Sequence, residues 1–179
     1  LIFIKTTFTE KQLKKNLSLE NVSVFRQLFP FGLKILIKTR TPVAFGEKIF
    51  KGVKITGFID EEGFFINEKY SDQENLKNLS SKVIGWKENF RQTLSEIFNF
   101  QKDNDVEFIT ITFSPNGFLI LEEKNLKTIL LGFNPKLIGN QLQIVNDIKN
   151  QITENNILGK IDTIDLTDPN DPKIKVFKP

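Results

Sequence analysis

The side chains able to do chemistry in this chain are few. It contains no His and no Cys. That removes imidazole acid–base catalysis, thiolate nucleophiles, disulfides and the commonest metal ligands. Carboxylates, Lys, Ser, Thr and a single Tyr remain. The densest carboxylate group is Asp60-Glu61-Glu62. Paired carboxylates can hold a cation or serve as acid and base. A calcium loop, however, spaces its ligands alternately and closes on a distal Glu. Consecutive acids before Gly63 read instead as the solvated tip of a hairpin. Asp162 and Asp165 fall on opposite faces of a strand, which keeps them from cooperating. Asp168 and Asp171 flank prolines, where Asp favours turns. Ser80, Ser81 and Lys82 lack the S-x-x-K spacing of a Ser–Lys nucleophile. Gly46, Gly52, Gly57 and Gly63 form no phosphate cradle. No catalytic residue, cofactor or metal site is therefore expected.

The 179 residues suffice for one ordinary domain or two small ones. Charged residues make up 26% and hydrophobic ones 39%, the composition of a soluble folded protein. The net charge is +3, carried by 22 Lys and only three Arg (Arg26, Arg40, Arg91). Arg is the side chain that forks onto phosphates and guanine edges, so no nucleic-acid partner is expected. Abundant Lys, Asn, Ile and Phe fit an AT-rich genome. The 18 Phe read as packing side chains for the core. No apolar run reaches the roughly 18 residues of a membrane span. The opening Leu1-Ile2-Phe3-Ile4 meets Lys5 at once and is neither anchor nor signal peptide. With Leu1 first and no Met anywhere, an upstream part of the protein is expected.

The elements that would position these side chains follow from periodicity. Residues 1–45 hold 8 basic and 2 acidic residues, and residues 46–179 hold 17 and 20. The change of sign near Phe45-Gly46-Glu47 suggests a domain boundary. Thr9 and Gln12 have capping-box spacing and predict a helix from Glu10 to about Leu17. Val22–Phe29 and Leu33–Lys38 flank Pro30-Phe31-Gly32 and predict a hairpin, with Leu33, Ile35 and Ile37 on one face. One helix on one hairpin is too little for an independent domain, so a further element upstream is expected. A second hairpin, Phe58–Asp60 with Phe64–Ile66, turns at Gly63. Residues 67–82 read as a surface loop. Trp86, Phe90, Leu94 and Ile97 predict a helix ending near Asn99. Strands follow at Phe108–Phe113, Phe118–Leu121 and Thr128–Leu131. Asn134-Pro135 opens a helix with Leu142, Val145, Ile148 and Ile152 on one face. Further strands are Lys160–Asp165 and Lys173–Phe177. The fold class is α+β, with antiparallel strands and helices between them. The terminal strand is expected at a sheet edge, where unpaired backbone groups can accept another chain.

Four stretches, in order, resemble the cell-division protein FtsQ/DivIB family. These are Arg26 with Phe29-Pro30-Phe31-Gly32-Leu33-Lys34-Ile35, then Thr39-Arg40-Thr41-Pro42-Val43-Ala44, then Gly57-Phe58-Ile59-Asp60-Glu61-Glu62-Gly63, and finally Ile164-Asp165-Leu166-Thr167-Asp168-Pro169. Gly132 after Leu130-Leu131 fits the family's "LG" element. The wording "LFPxGL" and "IDLTxPxxP" looks most like the cyanobacterial branch. The resemblance covers residues 20 to 177. It implies that residues 1–45 are the C-terminal part of a POTRA domain (a helix plus a β-hairpin) and that 46–179 are an antiparallel β domain. It implies a non-catalytic scaffold of septum assembly, on the periplasmic side of the inner membrane and anchored by an upstream single span. FtsB-like and FtsL-like division proteins would be its partners. The strand accepting an FtsB-like segment would map onto Lys173, Ile174, Lys175, Val176 and Phe177. Two departures stand out. Thr39 replaces the family's Glu before Arg40, and Thr167 and Asp168 replace the Arg and Tyr of "IDLRYP". Backbone pairing needs none of these side chains. The alternatives are a POTRA-bearing transport or outer-membrane assembly component, and a hydrolase using Asp60 or Glu62.

Overall fold

The computed structural model describes residues 6–70, 79–104, 106–154 and 161–177. Helix α1 (Thr6–Asn16) is followed by the hairpin β1 (Asn21–Gln27) and β2 (Gly32–Lys38). The two strands pair antiparallel from Asn21↔Lys38 to Gln27↔Gly32. Leu13, Leu17, Leu19, Val22 and Val24 form a small core between α1 and β1. The helix begins earlier than capping-box spacing predicts, so Thr9 and Gln12 lie inside it.

All remaining strands join one sheet. They are β3 (Pro42–Phe50), β4 (Val53–Asp60), β5 (Phe65–Asn67), β6 (Ser81–Ile84), β7 (Phe108–Phe113), β8 (Leu119–Glu123), β9 (Lys127–Gly132), β10 (Ile161–Asp165) and β11 (Lys173–Val176). Their order in the nine-stranded sheet is β11-β10-β9-β8-β7-β6-β3-β4-β5. The fold is α+β, as predicted, with a sheet rich in antiparallel pairs. Three pairings are nevertheless parallel: β3–β6, β6–β7 and β9–β10. Parallel neighbours need a crossover. Helix α2 (Arg91–Asn104) supplies it between β6 and β7, and α3 (Ile138–Glu154) between β9 and β10.

The two helices touch each other and share one core with the sheet. Leu94 and Ile97 of α2 are buried, as are Leu142, Val145, Ile148 and Ile152 of α3. That is the face predicted for α3. Trp86 and Phe90 precede α2 instead of opening it. Fully buried Gln141 ties α3 to the sheet: its Nε2 donates to the Leu131 carbonyl at 2.7 Å and to the Leu166 carbonyl at 2.6 Å.

Three further expectations change. The charge reversal at 45/46 falls inside β3, which pairs with β4 and β6 in the large sheet. By sheet membership the chain divides at residues 39–41 instead. The predicted loop at 67–82 contains β5's last residue and the first half of β6; its residues 71–78 lie outside the described set. Finally, Phe is not mainly a core residue here. Phe58, Phe65, Phe98, Phe108 and Phe113 are buried, while Phe8, Phe25, Phe29, Phe31, Phe45, Phe50, Phe133 and Phe177 are exposed.

Candidate functional site

The acidic cluster resolves into two different environments. Asp60 ends β4 and is buried, whereas Glu61 and Glu62 face solvent. One oxygen of Asp60, Oδ1, accepts the backbone N–H groups of Glu62 at 3.1 Å and Phe64 at 2.8 Å. The other, Oδ2, accepts from Arg40, whose side chain is only 5% exposed and also reaches Glu62 at 3.0 Å. The Arg40 guanidinium lies 3.5 Å from the Phe64 ring centroid, and that of Arg91 lies 3.1 Å from it. Gly63 closes this turn at φ +77°, and a Cβ there would sit 2.4 Å from the Arg91 carbonyl oxygen. The expected solvated tip is thus half correct. Asp60 leaves water because Arg40 neutralises it and the turn's backbone donors fill its other oxygen. Both of its oxygens accept hydrogen bonds from the turn and from Arg40.

This turn gathers Arg40, Asp60 and Gly63 in one place. Gly57 lies nearby on β4, where a Cβ would come within 2.3 Å of the Ile66 carbonyl oxygen. Pro42 and Val43 are half-buried and Ala44 fully buried at the start of β3. Arg26 and Pro30 are elsewhere, exposed on the β1–β2 hairpin. Asp165 is also apart, at the end of β10. Its Oδ1 accepts the Thr167 hydroxyl at 2.7 Å and the Thr167 N–H at 3.0 Å. The Thr167 hydroxyl first, and its N–H next, hold the Asp165 carboxyl below its ordinary value. The motif residues therefore form a structural clamp and separate turns, not one pocket.

A cleft of about 530 Å³ runs between α1 and the large sheet. Lys11 and Lys14 come from α1, and Arg40, Lys48, Phe65 and Trp86 from the other side. Lys48 Nζ sits 3.8 Å from the Phe65 centroid and 5.0 Å from that of Trp86. Desolvation against these rings pushes Lys48 below the ordinary lysine value. No spacing in the sequence marks this aromatic bed, because Lys48 comes from β3, Phe65 from β5 and Trp86 from the connection after β6. Among the described residues there is no group of three or more Asp or Glu that could hold a metal ion.

The predicted edge is present. β11 pairs with β10 on one side only and is the outermost strand of the sheet. Every residue from Lys173 to Phe177 is exposed. Ile174 and Val176 project to one face, Lys173 and Lys175 to the other, by the alternation of a strand. A built turn feeds the strand: Asn170 N–H donates to Asp168 Oδ1 at 2.9 Å and Asp171 N–H to the Asp168 carbonyl at 3.1 Å. The chain matches no protein-family model and no curated protein sequence. No helix among the described residues is long and apolar enough to cross a membrane.

Proposed function

We propose that this chain is a non-catalytic scaffold of bacterial septum assembly that captures an extended segment of a partner by strand addition to β11. The observation that carries this reading is the open edge of β11, four residues long, with Ile174, Val176 and Phe177 about half exposed. Each backbone bond to an added strand is worth about 0.5–1.5 kcal/mol net, and the apolar side chains add specificity. The hydrogen-bonded turn at 168–171 holds the edge ready, which lowers the ordering cost of binding. The ordered resemblance to the FtsQ/DivIB family supplies the partner class: FtsB-like and FtsL-like division proteins outside the plasma membrane. In this reading residues 1–38 belong to the POTRA part, and an upstream span provides the anchor.

The test uses the alternation of backbone donors. Along β11 successive N–H groups point alternately toward β10 and toward the open side. Proline removes one donor. Ile174→Pro and Lys175→Pro therefore delete donors of opposite direction. Binding of a synthetic FtsB-like strand segment is measured by calorimetry, and stability by thermal melting. One variant is expected to lose binding with its melting temperature kept, and the other to melt earlier. Unchanged binding by both variants overturns the proposal.

A further inference from the structure

The β1–β2 turn exposes apolar side chains more fully than any other part of the described molecule. Leu28 is 78% exposed, Phe29 90% and Phe31 88%. On β1, Val22 and Val24 are buried against α1, while β2 is exposed along its whole length. Along β1 exposure rises toward the turn, and it is highest at Leu28, Phe29 and Phe31. Large apolar residues left in water at a projecting tip mark a contact surface. Strand addition along β2 does not account for them, because residues 28–31 lie beyond the last register pair, Gln27↔Gly32.

Charge narrows the choice of partner. The hairpin from Asn21 to Lys38 contains no acidic residue, and it carries Arg26, Lys34 and Lys38. Glu20 pairs with Lys38 of the hairpin itself, and Glu10 accepts the Val24 N–H at 2.7 Å. The turn also satisfies part of its own backbone, since Gln27 Nε2 donates to the Phe29 carbonyl at 3.1 Å. A satisfied carbonyl costs less to move into an apolar medium.

We infer that the hairpin tip inserts Leu28, Phe29 and Phe31 into the surface of an anionic lipid bilayer, with Arg26 and Lys34 as its cationic collar. Leu28, Phe29 and Phe31 lie together beyond the last paired residues, where a bilayer interface can take up all three side chains at once. Aromatic rings favour that interface. Each Lys or Arg near an anionic surface adds attraction that salt weakens. This inference rests on the tip alone and stands or falls apart from strand addition at β11.

The test is cosedimentation of the 179-residue chain with vesicles. Vesicles of phosphatidylcholine with phosphatidylglycerol are compared with phosphatidylcholine alone. The chain is expected to pellet with the first, to bind the second at least about tenfold more weakly, and to be released by salt. Phe29→Ser with Phe31→Ser is expected to lower binding at least about tenfold with an unchanged melting temperature, since both rings already face water. Phe31→Trp is expected to show a blue-shifted emission on adding anionic vesicles, beyond the Trp86 background. No binding by the wild-type chain, or equal binding by the double Ser variant, overturns the inference. Equal, salt-insensitive binding to both vesicle types overturns the anionic preference. A melting temperature that falls sharply in the Ser variant shows the rings packed in solution and also overturns it.

Discussion

Removing the Arg40 guanidinium is expected to destabilise the protein far more than removing an ordinary surface cation. Arg40 sits on the segment that joins the two sheets, and both it and Asp60 have side chains only 5% exposed. Deleting one partner of a buried ion pair typically costs about 3–5 kcal/mol, because a charge is left buried and uncompensated. Here Asp60 keeps two backbone donors, from Glu62 and Phe64, which places the loss at the lower end. The lost stacking over Phe64 adds up to about 2 kcal/mol. The expected total for Arg40→Met is about 3–5 kcal/mol. In a chain of this size each kcal/mol lowers the melting temperature by about 2–4 °C, so a fall of roughly 6–20 °C follows. Lys38→Met provides the control, since the Lys38–Glu20 pair is exposed and screened by water. Arg40→Met combined with Asp60→Asn is expected to recover most of the loss, because an Asn oxygen can still accept both backbone donors. Thermal and urea melts of the wild type, Arg40→Met, Asp60→Asn and the double variant complete a double-mutant cycle. A fall for Arg40→Met no larger than that for Lys38→Met refutes the clamp.

Two further outcomes follow from single positions. Gly85 has φ +76°, and a Cβ there would lie 2.0 Å from the Phe113 carbonyl oxygen; Gly52 has φ +78° with nothing within 4 Å. Gly52→Ala is expected to cost about 1 kcal/mol for backbone conformation alone, and Gly85→Ala at least about 2 kcal/mol more, read from urea midpoints. Equal costs would show that β6 and β7 yield at that point. Hydrogen bonds from Lys82, then from Lys54, hold Glu47 below its ordinary value of 4.5. A depressed folded value means that the stability is fully present above 4.5 and is lost as pH falls through the folded value. Both lysines are largely exposed, so the effect is under about 1 kcal/mol. Glu47→Gln is expected to flatten the stability profile below pH 4.5 and leave its shape at neutral pH unchanged; an unaltered acid limb refutes the assignment.

Local patterns made some elements legible and left others invisible. β7 is legible to the residue, because Phe108–Phe113 alternates apolar and Thr in the two-residue period of a half-buried strand. The buried stripe of α3 was equally clear. β3 has no clear local signal, because Gly46 interrupts it and charge reverses within it. Charge is a surface property and does not respect a strand whose neighbours are set by tertiary pairing. The space a Cβ would need at Gly46 is taken by Ile59 and Phe65, residues remote in sequence. The β3–β4 turn is equally faint: Lys51 and Gly52 both have positive φ, and Lys-Gly is a weak signal for such a turn. β6 has four residues in a polar stretch, although its Val83 is fully buried. The Arg40–Asp60 pair spans twenty residues, and no local rule links its partners.

The two ends of the large sheet differ in a way that bears on which edge can recruit a partner. β5 is three residues long, with Phe65 and Ile66 buried and a 3₁₀ turn immediately after it. Such an edge is protected by shortness and coverage. β11 is longer, exposed throughout, and guarded only by Lys173 and Lys175. Lysines deter pairing between two copies of this edge, because they set one positive row against another. They do not deter a strand that carries acids on the lysine face and small or apolar residues opposite Ile174 and Val176. Lys173 already accepts such a neighbour in Asp171, 3.4 Å away on the exposed side. In the proposed strand addition, the same two residues that keep the edge from pairing with itself would favour an acidic partner strand.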